Sequence, residues 1–198
     1  EVVRDPDLLA HDIRAYLEAE NAFTAAELVD STELQKNLFE EMKGRIKEDH
    51  STVPMPDGPY AYGSSYRKGG QQPLFQRMPR DKNAEADRTI ILDGDAEADG
   101  KAYFRIASAD HSPDHGKLLW GYDDKGSEFF RLRVRDMESR EDLADDVADS
   151  SGGGVWDAKS EGFFYSKLDA NHRPSKLYYH RVGSAQADDI LVYEETDA

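Results

Sequence analysis

Two stretches of this chain overlay without a gap. "HSPDHGKLLWGYDDKGSEFFRLRVRD" (111–136) falls on "WDAKSEGFFYSKLDANHRPSKLYYHR" (156–181). Leu119 lands on Phe164, and 164 − 119 = 45; at the same offset Trp120 lands on Tyr165, Asp124 on Asp169 and Leu132 on Leu177. A weaker match runs the other way: Tyr62 to Trp120 and Leu74 to Leu132 are each 58 positions apart (120 − 62 = 58, 132 − 74 = 58). A period near 45 residues is the length of a four-stranded propeller blade. The repeat therefore predicts a mainly β fold: a partial β-propeller of about three four-stranded antiparallel blades, near 53–101, 102–147 and 148–198.

The local pattern agrees. From "STVPMPDGPYAYG" onward, short apolar runs alternate with turns rich in Gly, Asp, Ser and Pro. The runs include "RTIILD", "KAYFRIAS", "KLLWGYD", "EFFRLRVRDM", "EGFFYSKL", "SKLYYHRVG" and "DDILVYEE", and many short strands at even spacing argue for an all-β architecture. The first fifty residues read differently, as a helical extension (1–50) ahead of the propeller part (51–198). Pro6 suits a first helical turn, and Leu9, Ile13, Tyr16, Leu17 and Phe23 follow helical spacing. Asp30 and Glu33 resemble a capping box that opens a second helix. Leu34, Leu38, Met42 and Ile46 then form one apolar stripe. The domain expectation is two α-helices followed by blades.

Composition bounds the partners. The formal net charge is −16 and charged residues make up 33% of the chain. Such a surface repels nucleic acid and anionic membranes and favours cationic partners, basic peptides among them. With no cysteines, disulfides, thiolate catalysis and cysteine–zinc sites are excluded. No apolar run approaches the ~20 residues of a membrane span. The chain opens on "EVVRDPDLL" without a methionine or a signal-peptide pattern, which reads as an excised fragment.

Candidate chemical motifs fail one after another. His111-Ser-Pro-Asp-His-Gly116 carries two histidines and an aspartate, but Pro113, Asp114 and Gly116 are turn chemistry. The stretch reads as the hairpin between a blade's first and second strands, with no converging ligand set. Asp93, Asp95, Glu97 and Asp99 alternate like a calcium loop, yet Ala98 and Phe104 stand where glycine and a bidentate glutamate are needed. "SSGGGVW" (150–156) has no helix after it to cradle phosphate and reads as a loop leading into an inner strand. No Gly-x-Ser-x-Gly elbow occurs; Ser64, Ser65, Ser127 and Ser184 all miss its frame. The six histidines are scattered, and no Ser/His/Asp set can be assembled. The expectation is no catalytic residue, no cofactor-binding residue and no metal ligand.

Several strings carry a resemblance: "IRAYLEAENAFTAAEL", "LFEEMKGRIKEDHSTVPMPDGPYAYGSSYRKGGQQPLFQR", "SADHSPDHGKLLWGYDDKGSEFFRLRVRD", "SGGGVWDAKSEGFFYSKLDANHRPSKLYYHR" and "DDILVYEE". Together they resemble the N-terminal part of the oligopeptidase B (protease II) branch of the prolyl oligopeptidase family of serine peptidases. The resemblance implies a cytoplasmic enzyme with a helical extension, a seven-bladed propeller and an α/β-hydrolase domain. It further implies acyl-enzyme cleavage of short peptides after arginine or lysine, with the triad in the hydrolase domain and the propeller gating access. Under this expectation the chain is a non-catalytic piece, inactive alone, whose partner is its own C-terminal hydrolase domain. Three blades cannot close a ring, so self-association, or helices folded back over the blades, is expected. The rival reading is a propeller-like protein-binding module with no peptidase activity.

Overall fold

A computed structural model describes residues 6–82 and 84–197. The chain divides into two compact units, Glu1–Asp49 and His50–Ala198.

The first unit is helical. After a 3-10 turn at Pro6–Leu8, α1 (His11–Glu27) and α2 (Thr32–Gly44) are joined by a second 3-10 turn, Val29–Ser31. The expected capping box does not form. Asp30 lies inside that 3-10 turn and Ser31 is the residue that enters α2. The Ser31 and Thr32 hydroxyls donate backward, to Leu28 O and Val29 O at 2.7 Å each, and leave the first helical N–H groups uncapped by side chains. These hydroxyls reach the same carbonyls that accept the turn's own backbone N–H groups, Ser31 N to Leu28 O and Thr32 N to Val29 O, and so reinforce the turn instead of capping α2. No residue of α1 or α2 is buried, and the stripe Leu34, Leu38, Met42 is exposed; Ile46 falls beyond the end of α2.

The second unit is built of blades. β1 (Met55–Asp57), β2 (Tyr60–Ser65), β3 (Leu74–Pro79) and β4 (Thr89–Asp93) form one antiparallel four-stranded sheet in sequence order. A short helix, α3 (Gly94–Ala98), follows, its start capped by Asp93, whose carboxylate accepts the Ala96 N–H. The alternating acids at 93–99 thus serve a helix start: Asp93 also binds Arg67, and Asp95 accepts the Gln71 and Gln72 amides. Seven further strands form one continuous antiparallel sheet. They are β5 (Arg105–His111), β6 (Lys117–Asp123), β7 (Phe130–Asp136), β8 (Asp142–Trp156), β9 (Gly162–Leu168), β10 (Pro174–Arg181) and β11 (Ile190–Glu194).

β8 is fifteen residues long and belongs to two blades. Its first half pairs with β7 (Leu132↔Val147, Arg133↔Asp146); its last residues pair with β9 (Gly154↔Tyr165, Trp156↔Phe163). Counted twice, β8 gives each of three blades four strands. The switch lies at an irregularity between Ser150 and Gly154, where Gly152 takes φ +97°. The segment 150–156, expected as a loop, is therefore a bulged strand, and the boundary expected between 147 and 148 runs through a hydrogen-bonded ladder. Side chains hold the corner: Ser108 Oγ donates to Gly152 O (2.7 Å), Ser150 Oγ to Phe130 O (3.1 Å) and Gly152 N to Ser150 Oγ (3.1 Å).

The repeat is physical. Leu119↔Val134 in the second blade recurs as Phe164↔Tyr179 in the third, Ala109↔Trp120 as Gly154↔Tyr165, and Arg133↔Asp146 as Tyr178↔Leu191. Each partner moves by the same 45 positions (164 − 119, 179 − 134). The first blade keeps the architecture but not the spacing. Tyr62 pairs with Arg77 where Trp120 pairs with Arg133, so β3 maps onto β7 at 133 − 77 = 56 and Leu74 is the counterpart of Phe130, two residues short of Leu132. Burial agrees: Leu74, Gln76 and Met78 are inside, as are Phe130, Leu132 and Val134.

Packing explains why β6 reads as an unbroken apolar run. Leu118 and Trp120 pack with Ile91, Leu92, Phe104 and Met137 toward the first blade. Leu119 packs with Leu132, Val134, Val147, Phe163 and Tyr165 toward the third. Both faces of the middle blade are covered, so alternation disappears. Each fully buried side chain of this size contributes roughly 1.5–3 kcal/mol of transfer free energy.

Two glycines separate space from conformation. A Cβ at Gly121 would lie 2.2 Å from Gly152 O, a backbone atom that cannot swing away; at Gly100 (φ +72°) it would meet nothing within 4 Å. Gly121→Ala should cost about 3 kcal/mol or more, and Gly100→Ala only ~1–2 kcal/mol of left-handed strain. Urea unfolding of both variants checks this, and equal costs would refute the close approach of β6 and β8.

Candidate functional site

The first hairpins of the three blades meet side by side. In the second blade Ser112 N donates to Lys117 O, and His115, at φ 60°, closes the turn by donating from N to Ser112 O. Asp114 Oδ1 accepts the Gly116 amide and the Ser112 hydroxyl. The third blade copies this backbone: Asp157 N donates to Gly162 O, Ser160 N to Asp157 O, and Ser160 has φ 59°. The hairpin reading of 111–116 is thus what the structure shows. The second and third hairpins touch through the Asp114 amide, which donates to Ser160 Oγ at 3.1 Å, while Trp156 Nε1 donates to Asp110 O at 3.0 Å. Burial works against the ionised Asp114, but the Ser112 and Gly116 bonds outweigh it and its carboxyl titrates below its ordinary range.

Between the first and second blades lies a cluster of polar and aromatic side chains. His111 Nε2 is 2.8 Å from Asp57 Oδ2, and Tyr62 Oη is 2.8 Å from His115 Nδ1. The Tyr62 ring stacks on His111 at 3.7 Å and 4°. Arg77 Nη1 donates to His115 O at 2.7 Å, and its guanidinium covers Tyr60 at 4.2 Å. Gly58, at φ +53°, makes room: a Cβ there would stand 2.2 Å from His115 Nε2. The His111 hydrogen bond holds the Asp57 carboxyl below the usual carboxylate range. Sequence reasoning weighed His111 and His115 but missed Asp57, which lies 54 positions away in another blade.

A second cluster is wholly inside. His180 on β10 places Nδ1 2.6 Å from Asp189 Oδ1 and Nε2 3.0 Å from Asp145 Oδ1. Asp145 lies in the first half of β8, in the second blade, so this contact ties two blades. Asp189 also accepts the Tyr165 hydroxyl (2.7 Å), and Asp145 the Gly183 amide (2.6 Å). Burial alone would lower the His180 pKa, but the two carboxylates outweigh it and raise it; burial likewise opposes the charge on Asp145, yet the His180 and Gly183 bonds bring its pKa down. At the blade edge, the Asp157 carboxylate that accepts the Tyr179 hydroxyl pushes that phenol up to about 12.

None of this is a nucleophile–base pair. Among the described residues, the histidine ring hydrogen bonds go to Asp57, Tyr62, Ser127 O, Asp145 and Asp189, and none to a serine hydroxyl. What the hairpins and clusters do is lock one blade to the next.

Four-stranded antiparallel blades packed face to face, joined through a shared strand and clasped at their first hairpins, define part of a β-propeller. Residues 3–198 match the family described as prolyl oligopeptidase, N-terminal beta-propeller domain, and the chain belongs to that family. It is 28% identical over 209 residues to dipeptidyl aminopeptidase BI of Pseudoxanthomonas mexicana, covering 98% of this chain and 29% of the relative. Protease 2 of Moraxella lacunata is 26% identical over 191 residues, with coverage of 94% and 28%. Among solved structures, oligopeptidase B from Leishmania major superposes with a TM-score of 0.91 at 26% identity, covering 98% of this chain and 28% of that one. The chain thus spans less than a third of the length of these relatives.

The His180 cluster sets a pH dependence. A folded-state pKa above the unfolded value contributes stability that is fully present below the unfolded pKa, ~6.5, and is lost as pH rises through the folded one. The wild-type urea midpoint should therefore fall on the alkaline side, and His180→Gln should lower the midpoint at pH 6 while flattening that fall. An alkaline slope unchanged in the variant would remove His180 as its cause.

Proposed function

We propose that this chain is the N-terminal helical and early propeller part of a cytoplasmic serine oligopeptidase that cleaves short peptides after arginine or lysine. The observation that carries the reading is the blade architecture together with its likeness to oligopeptidase B at a TM-score of 0.91. In the proposed division of labour, the acyl-enzyme chemistry belongs to an α/β-hydrolase domain outside this sequence. The described residues contribute no catalytic group; they build a rigid wall that admits short peptides and rejects folded proteins. The clasps at His111–Asp57 and His180–Asp145 suit that role, because a filter must not open between its blades. The charge of −16 suits cationic substrates, which an acidic surface draws inward.

Exposed apolar surface supports the partners. Leu34, Leu38 and Met42 on α2 would rest on the hydrolase domain, and Ile190, Leu191, Val192 and Tyr193 on β11, all exposed, would be covered by further blade surface. Left uncovered, such patches drive association.

Two measurements test this reading. The product of the whole reading frame should cleave peptidyl-arginine and peptidyl-lysine amides faster than peptidyl-proline amides by about 100-fold or more in kcat/KM, and this chain alone should cleave none. Proline preference, or turnover by the purified chain, would overturn it. Light scattering of the chain alone should show mass rising with concentration; a monomer at every concentration would contradict the self-association.

A further inference from the structure

The cluster between the first two blades has the donors of a metal site. Asp57, His111 and His115 each offer one ligand atom, and the three atoms lie within 4.8 Å of one another. Two imidazoles and one carboxylate suit Zn²⁺ and its late first-row neighbours, and three protein ligands leave a fourth position for water. The surroundings fit as well. The Tyr62 hydroxyl holds His115 Nδ1, which leaves Nε2 as the free donor, and the Tyr62 ring fixes the plane of His111 by stacking. Outer groups that orient a ligating imidazole in this way tune affinity strongly. Gly58, lacking a side chain, lets its backbone lie against His115 Nε2, where a Cβ would stand 2.2 Å away.

We propose that Asp57, His111 and His115 bind one divalent late first-row ion, Zn²⁺ above all, which fastens the first blade to the second. The 2.8 Å contact between His111 Nε2 and Asp57 Oδ2 is a hydrogen bond in the absence of an ion. On binding, the ion replaces the proton between them and that proton passes to solvent. Asp57 can make the small outward swing this requires, because its side chain is 65% exposed while that of His111 is 23% exposed. Binding weakens in acid, where protons compete for the imidazoles.

The test is a Co²⁺ titration of the full chain followed by visible absorption, with Zn²⁺ calorimetry and thermal melts alongside. One equivalent should bind with the intense d–d bands of four-coordinate Co²⁺. Zn²⁺ should displace the Co²⁺ and raise Tm, whereas Mg²⁺ and Ca²⁺ should do neither. Asp57→Asn and His111→Gln should each weaken binding at least tenfold, and Tyr62→Phe, which keeps the stacking ring, by about tenfold. Because Asp57 is exposed, Asp57→Asn leaves the fold intact and decides the matter even if His111→Gln unfolds the chain. A folded wild type with no saturable Co²⁺ or Zn²⁺ binding overturns the proposal. So does binding that survives Asp57→Asn unchanged, which would place the ion elsewhere on the acidic surface.

Discussion

A four-stranded sheet has two apolar faces and cannot bury both by itself. Everything in the blade unit follows from that constraint. The middle blade satisfies it completely: Leu118 and Trp120 point one way, Leu119 the other, and all three are at most 2% exposed. The outer strand β11 has not satisfied it, and its apolar residues stay in contact with solvent. A blade is therefore stable in proportion to its neighbours, as in other architectures built by radial repetition. The polar clasps add specificity to this unspecific attraction. Hydrophobic faces could slide over each other; His111 on Asp57, Asp114 on Ser160 and His180 on Asp145 fix one position.

Much of this was legible in the chain. The forty-five-residue offset could be read because the hairpins at 112–117 and 157–162 have the same length and the same left-handed residue, so no gap disturbs the overlay. The first blade was harder. Its β2 and β3 are related to their counterparts by different offsets, and equating Leu74 with Leu132 ignored the two-residue slip that the ladder requires. Periodicity reports each strand by itself, and only pairing reports two strands together. The capping box failed for a similar reason. Asp30 and Glu33 have the right spacing, but Ser31 and Thr32 turned their hydroxyls to the preceding carbonyls instead.

The shared strand and the two histidine clusters were not legible, and the reasons differ. "SSGGGVW" looks like a loop because its polar and glycine residues are needed at a corner where backbones approach closely; Gly121 and Gly152 make that contact. The clusters join residues from separate blades, and no local pattern announces such a contact. Asp57 sits in an ordinary Pro-Asp-Gly turn, and Asp145 and Asp189 are two acids among 41 in an acidic chain. Their partners became visible only when the blades were assembled.

β8 has one further consequence. The unit that repeats in the sequence begins at a hairpin, but the unit that solvent can separate does not, because a single uninterrupted strand is stitched to β7 along one half and to β9 along the other. Cutting the polypeptide between the two modules would strand main-chain amides on both sides of the cut. A duplication could copy this module freely; a deletion could not remove it without unravelling its neighbour, so growth by addition and resistance to loss are written into the same fifteen residues.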